Sequence, residues 1–282
     1  MTVIEPHVHV WTLDTARFPW AAGTANPPSE SATAEELLQT LAANGVAGAV
    51  LVQVIYYGYD NSYAADCLAR YPDRFAGVCL VDPEDPDAPR KLEYEVRERG
   101  FSGLRLRPSH NRNSTWLSDP KTFPIWDKAA ELGISICLLT HVEQLRMLAA
   151  PLERYPTVPV IVDHMGWPPL DEGPDGTEIQ HLLGLVRYPN VHVKITDPWA
   201  ISREEEWPFR KAEPIFRKVF ETFGPERCLW GTDWPLVRGH GGYAKAKALY
   251  TEAWDWLTDT DREWIMDRTI RKIYPRPFAA LP

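Results

Sequence analysis

Four apolar runs of this 282-residue chain end in histidine or aspartate. The first, Val3–Val10, carries His7-Val8-His9. Residues two apart in a strand point the same way, so both imidazoles face one side. Ile134–Thr140 is followed by His141, Val158–Val162 by Asp163-His164, and Arg227–Gly231 by Thr232-Asp233. Imidazole and carboxylate are ligands for Zn²⁺ or a similar divalent ion, which would acidify a bound water or polarise a carbonyl. A single histidine at a strand end is more often a hydrogen-bonded structural residue, and a lone HxH pair is a weak motif. Four histidines and an aspartate at four strand ends are much harder to assign to chance. His192, His181, His110 and His240 have weaker claims: one lies within a strand run, one on a helix surface and two in loops.

Positioning these side chains on one surface requires a repeated element. Eight short β-branched runs recur along the chain: Val3–Val10, Gly48–Val54, Phe75–Val81, Gly103–Arg107, Ile134–Thr140, Val158–Val162, Val191–Ile195 and Arg227–Gly231. Helix-like segments lie between them, at 34–43, 62–70, 90–99, 123–132, 142–154, 178–186 and 214–223. Gly or Pro falls just past the end of several, where a helix must stop. Strands alternating with helices argue for a parallel sheet with right-handed crossovers. Eight units in this length fit an α/β fold of the (β/α)8 TIM-barrel type, as one domain over 1–282. An open doubly wound sheet is the competing architecture; the first strand is not followed by GxGxxG. In a barrel the C-terminal strand ends form the active-site mouth, which is where the histidines and Asp233 lie. The segments 17–31 and 166–176 read as long loops near that mouth. The Trp-rich stretch 243–274 reads as helical, with Trp254, Trp256 and Trp264 as packing residues.

Composition narrows the class. Hydrophobic residues make up 44% and charged residues 24%, as in ordinary globular proteins. The formal net charge of −9, with no basic run, disfavours nucleic-acid and membrane-surface partners. No apolar stretch approaches a membrane span. Cys67, Cys79, Cys137 and Cys228 are widely spaced, form no CxxC, and read as reduced buried thiols. Together with an N-terminus that lacks signal-peptide features, they set the expectation of a cytoplasmic protein.

The motifs HVHVW (7–11), LVQVIYYGYDN (51–61), GLRLRP (103–108), VDHMGWP (162–168), VKITDPW (193–199) and WGTDWP (230–235) span nearly the whole chain. In this order they resemble the amidohydrolase superfamily. The likeness is to its TIM-barrel lactonase branch, which includes lactonases of 2-pyrone-4,6-dicarboxylate and of sugar acids. The resemblance implies a metal pair at His7 and His9, a further ligand at His141, and a substrate- or water-orienting His164. It implies that Asp233 is both metal ligand and general base. A histidine at the His141 position is not uniform in the branch, and some of its lactonases work without metal. His141 therefore supports a bound divalent metal, zinc first, without making it obligatory. The superfamily also holds decarboxylases and isomerases.

Opening a lactone needs a water nucleophile, a base and a stabilised oxyanion. Asp233 is the expected base and His164 the group that orients water or stabilises the oxyanion. Arg105 and Arg107 share one face of the fourth run, opposite Leu104 and Leu106. They are either paired with carboxylates such as Asp82 or form a fork for a substrate carboxylate. Gln53 and Tyr57, with Tyr56, Tyr59 and Asn61, offer neutral hydrogen bonds to a substrate or serve as packing and turn residues. Trp167, Trp199 and Trp234 offer aromatic pocket walls. Lys194 is read equally as a carbonyl contact or an anchor of the barrel floor. The expected activity is hydrolysis of a lactone of a carboxylated or sugar-acid type. Non-oxidative decarboxylation of an aromatic or unsaturated acid is the alternative, and a catalytically dead binding barrel ranks third. The expected partner is a small molecule, with association into a homo-oligomer open.

Overall fold

A computed structural model of the chain describes residues 2–203 and 207–281. Eight parallel strands pair in chain order: β1 (Ile4–Val8), β2 (Gly48–Val52), β3 (Phe75–Leu80), β4 (Gly103–Leu106), β5 (Ser135–Leu138), β6 (Val160–Val162), β7 (Val191–Lys194) and β8 (Cys228–Leu229). All eight lie within the runs expected from sequence, and they form a TIM barrel. The helices α1 (Ala34–Ala43), α2 (Ser62–Arg70) and α4 (Phe123–Leu132) keep the expected bounds, while α3 spans Ala88–Arg97. α1 starts on a capping box, with Thr33 accepting from the Glu36 amide and Glu36 accepting from the Thr33 amide. Gly133, in the left-handed region at φ 65°, ends α4.

Later helices are shorter than the periodicity suggested. The segment 142–154 is a 3₁₀ stretch, Val142–Leu148, running into α5 (Ala149–Arg154). The segment 178–186 contracts to α6 (Gln180–Leu183) and a further 3₁₀ turn. A one-turn helix, α7 (Pro198–Ile201), follows β7, and α8 (Glu213–Phe223) precedes β8. The stretch 243–274 is not one helix. It breaks where Trp254 leaves helical geometry to pack between Phe216, Tyr250 and Trp256.

The barrel interior is layered. Its floor is apolar: Ile4, Val50, Val52, Ala76, Val78, Cys137, Ile161 and Leu229 meet Ile270, Tyr274 and Phe278, which plug the bottom from the C-terminal segment. Above this floor the inward positions turn polar, with His7, Arg105, Asp163 and Lys194 all buried. A single apolar layer between strands and helices surrounds the whole.

The join between β8 and β1 is the least regular part of the sheet. Backbone pairing there reduces to the Val8–Trp234 bridge, with the His9 amide donating to the Trp234 carbonyl at 2.7 Å. Side chains complete the seam. The Trp230 indole donates to the Ile4 carbonyl at 2.8 Å. Buried Glu5 accepts from the amides of His7 (3.2 Å) and Thr232 (3.1 Å), and from the Tyr243 hydroxyl (3.0 Å). Gly231 permits this approach, since a Cβ there would lie 3.1 Å from Glu5 Oε1 and 3.0 Å from Thr196 Cγ2. Removing the Glu5 carboxylate strands three buried donors, each at about 1–3 kcal/mol. Glu5→Ala is expected to lower the unfolding free energy by about 3 kcal/mol or more in urea titration, and Glu5→Gln, which keeps one acceptor oxygen, by less. A loss under about 1 kcal/mol in Glu5→Ala would show that the seam does not rest on this side chain.

Candidate active site

The seam brings His7 and His9 of the first strand's end against Asp233 beyond β8. His9 Nε2 lies 3.1 Å and His7 Nε2 3.5 Å from Asp233 Oδ1, and the two Nε2 atoms are 3.3 Å apart. His9 Nδ1 lies 2.6 Å from the Val52 carbonyl, which can only accept, so Nδ1 carries a proton and Nε2 faces Asp233. Asp233 Oδ1 is buried without a hydrogen bond among the described residues. A proton on one Nε2, or a cation held between the atoms, satisfies that contact. Ligand atoms bound to zinc at 2.0–2.1 Å in tetrahedral geometry lie about 3.3 Å apart, the spacing of this trio. One ligand atom each from His7, His164 and Asp233 also lie within 4.8 Å of one another. The donor set fits a divalent ion.

A buried charge network supports this group from below. Asp163 pairs with Arg105 (Nε–Oδ2 3.0 Å) and Lys194 (Nζ–Oδ1 2.9 Å), and Lys194 Nζ lies 2.8 Å from His7 Nδ1. Burial raises the Asp163 pKa, but Lys194 and Arg105 outweigh it and hold the carboxyl well below the usual range. Burial and the Lys194 charge push His7 well below the ordinary histidine value, so its ring is neutral. Lys194 can only donate, so as the atoms stand the ring proton sits on Nε2; a metal on Nε2 would require that proton on Nδ1, which lies 3.6 Å from Asp163 Oδ1. Of the two roles open to Lys194 in sequence, the structure shows an anchor.

His164 has an orienter the sequence reading did not single out. Its Nδ1 lies 2.8 Å from Asp197 Oδ2 and 2.7 Å from Thr196 Oγ1. Burial lowers the His164 pKa, but Asp197 and Asp233 reverse the effect and leave it raised. Burial lifts Asp197 to about 6, against the pull of His164. Asp233 stays ionised well below the usual range, because His9, His164 and His7 outweigh its burial. His164, Asp197 and Asp233 all adopt left-handed backbone, at φ 52°, 61° and 53°. Non-glycine residues there carry strain and cluster at functional sites. The signal for Asp197 was its place after β7, inside VKITDPW.

The remaining expected residues divide. Arg105, Arg107, His9, His164, Trp167 and Asp233 line one chamber of about 190 Å³, joined by Trp11, Val54, Ile55, Tyr56, Leu139 and Leu236. Arg107 Nε is buried with no hydrogen-bond partner among the described residues. Burial, then the Arg105 charge, lowers the Arg107 pKa to about 10.

Gln53 and Tyr57 do not line the chamber. Gln53 donates to the Asp60 carbonyl at 2.6 Å and holds its own loop. Tyr57 is buried, stacks on Trp20 at 4.7 Å, and its hydroxyl accepts from the Thr12 amide; the neighbouring Tyr56 takes the lining position. His141 stands apart from the cluster. Arg112 Nη2, which can only donate, lies 3.2 Å from His141 Nδ1. The neutral ring's proton then sits on Nε2, and burial followed by Arg112 lowers its pKa. Arg112 thus occupies His141 Nδ1, and the ring lies outside the group formed by His7, His164 and Asp233.

A (β/α)8 barrel with a His/Asp cluster at its C-terminal mouth is the architecture of a hydrolytic enzyme class. A profile described as Amidohydrolase matches residues 4–276, and the chain belongs to that family. An L-fucono-1,5-lactonase of Burkholderia ambifaria is 29% identical over 241 residues, covering 85% of this chain and 83% of the relative. A 4-sulfomuconolactone hydrolase of Hydrogenophaga intermedia is 27% identical over 245 residues, covering 87% and 77%. Among solved structures, an amidohydrolase of Burkholderia multivorans with bound zinc superposes with a TM-score of 0.79 at 20% identity, over 98% of this chain and 99% of that one.

Metal content tests the ligand geometry directly. After incubation with zinc and gel filtration, His9→Ala and Asp233→Asn are expected to retain at most about a tenth of the wild-type metal by elemental analysis. His141→Ala should retain most of it. Loss of metal in His141→Ala would restore the ligand role that the sequence assigned to it.

Proposed function

We propose that the protein hydrolyses a lactone bearing a carboxylate, with Asp233 as general base. The observation that carries this reading is Asp233 itself, a carboxylate buried among three imidazoles and held ionised at the chamber wall. Lactone-opening names among the relatives support it. His7, His9 and Asp233 would hold a divalent ion, zinc being the first candidate. Such an ion would polarise the carbonyl and lower the pKa of a bound water.

The chain's own residues supply the remaining steps. Asp233 takes a proton from water as the water oxygen bonds to the acyl carbon. His164, held by Asp197 and Thr196, keeps its Nε2 toward the mouth and hydrogen-bonds the developing oxyanion. Collapse breaks the acyl carbon–ring oxygen bond, and the proton on Asp233 passes to the departing ring oxygen. The product is a hydroxy acid, which releases one proton at neutral pH. Arg107, half-buried with its Nε unpartnered among the described residues, holds the substrate carboxylate, as a planar fork suited to bidentate pairing. Arg105 is already committed to Asp163.

A weakly buffered indicator assay checks this over 1,4- and 1,5-lactones of sugar acids and over pyrone and muconolactone carboxylates. Asp233→Asn is expected to lower kcat by about 10³-fold or more, in line with loss of a positioned base. Arg107→Ala should raise KM for a carboxylated lactone about tenfold or more while moving an uncharged lactone less. Near-full turnover by Asp233→Asn would remove the base, and CO₂ release without lactone opening would move the protein to the decarboxylases.

A further inference from the structure

The mouth holds two chambers. The inner one, of about 190 Å³, lies below the ~300–1,000 Å³ usual for small-molecule sites. A second, of about 660 Å³, adjoins it, and Trp167, Asp233 and Leu236 line both. Asp233 therefore stands at their junction. A substrate whose reacting carbonyl meets Asp233 has room for little more than its ring and carboxylate on the inner side. Any larger substituent leads into the outer chamber.

The outer walls are flat. On one side the Trp167 indole stacks on His164, with ring centroids 5.4 Å apart and planes 13° from parallel. On the other, His240 stacks on Trp199 at 5.3 Å and 11°. Trp199 is buried and His240 exposed, so the imidazole presents its face over a fixed indole. Pro168, Pro169, Leu170 and Ile201 add apolar lining, while Arg112, Arg203, Asp197 and Asp233 place charged groups at the chamber's margins. At one edge stands His141, whose ring proton is directed to Nε2 by Arg112. That edge offers a neutral donor. The hydrolytic steps use Asp233 at the junction but neither the Trp199–His240 pair nor the His141 donor.

We infer that the outer chamber is a binding subsite for a flat, aromatic or conjugated substituent on the lactone, carrying an acceptor oxygen that reaches His141. The inference rests on the lactone-hydrolase reading for its substrate and names the class of substituent. Flat groups stack against indole and imidazole faces in offset or edge contact.

Two probes of one chemistry test it: a monocyclic 2-pyrone carboxylate and its benzo-fused counterpart, a coumarin carboxylate. Saturation-transfer NMR on the wild-type protein reads binding without turnover. The benzo-ring protons of the coumarin are expected to receive the strongest saturation, and His240→Ala should weaken coumarin affinity about tenfold more than pyrone affinity. His141→Phe, which keeps a flat ring and removes the donor, should weaken the coumarin several-fold only when it carries an acceptor oxygen on the benzo ring. Equal weakening of both probes by His240→Ala, or saturation confined to the pyrone ring, would overturn the subsite. If both probes bind as expected and neither is hydrolysed, the subsite stands and the lactone-hydrolase reading falls. Hydrolysis of both with no discrimination lost in His240→Ala does the reverse.

Discussion

An eighth strand of two residues, Cys228 and Leu229, cannot close a barrel through backbone pairing. Side chains make up the difference. Glu5 receives amides from both edges of the gap, the Trp230 indole reaches back to Ile4, and the Val8–Trp234 bridge draws the two chain segments together above them. The dependence is direct, because the residues on either side of this join are His7, His9 and Asp233. Without it the first strand's imidazoles and the eighth strand's carboxylate would not share a 3.1–3.5 Å triangle. Burying the Glu5 carboxyl raises its pKa to about 7 despite the donors around it. The join is therefore held by a group whose ionisation is itself costly there.

The barrel interior converts this closure into chemistry by changing character with height. Below, Ile4, Val52, Ile161 and the plug of Tyr274 and Phe278 exclude water. Above, one carboxylate, Asp163, is shared between Arg105 and Lys194, and Lys194 turns the His7 ring. Buried charges are tolerated when each is paired and hydrogen-bonded. Arg107 breaks that rule, with a buried Nε unpartnered at the chamber wall. His164, Asp197 and Asp233 sit on left-handed turns at strand ends, so their aim is fixed by backbone instead of by flexible side-chain choice.

The barrel was legible because each strand is a short β-branched run and several helices stop at a glycine or proline. The convergence of His7, His9, His164 and Asp233 followed from period-two alternation and the rule that strand C-termini share a face. What was not legible depends on contacts with large sequence separation. Asp197 lies 33 residues beyond His164, and only the packing of β6 beside β7 shows that it orients that ring. Tyr56 and Tyr57 are adjacent and chemically alike. A 3₁₀ turn at Ile55–Tyr57 puts one on the chamber wall and the other under Trp20. His141 occupies a ligand-like position in sequence, and only the guanidinium of Arg112 reveals which nitrogen holds its proton. The overestimated helix at 142–154 has helical composition but starts just after the end of β5, where a 3₁₀ stretch takes the first seven residues.

Oxygen isotope labelling tests the central claim, that this seam-built cluster delivers water to a lactone carbonyl. In a single turnover in H₂¹⁸O, with enzyme in excess over a carboxylated lactone, mass spectrometry of the product should find one ¹⁸O in the newly formed carboxyl group and none in the released hydroxyl. Label in the hydroxyl would place bond breaking on the alkyl side, and loss of CO₂ would mean a lyase; either would contradict the account.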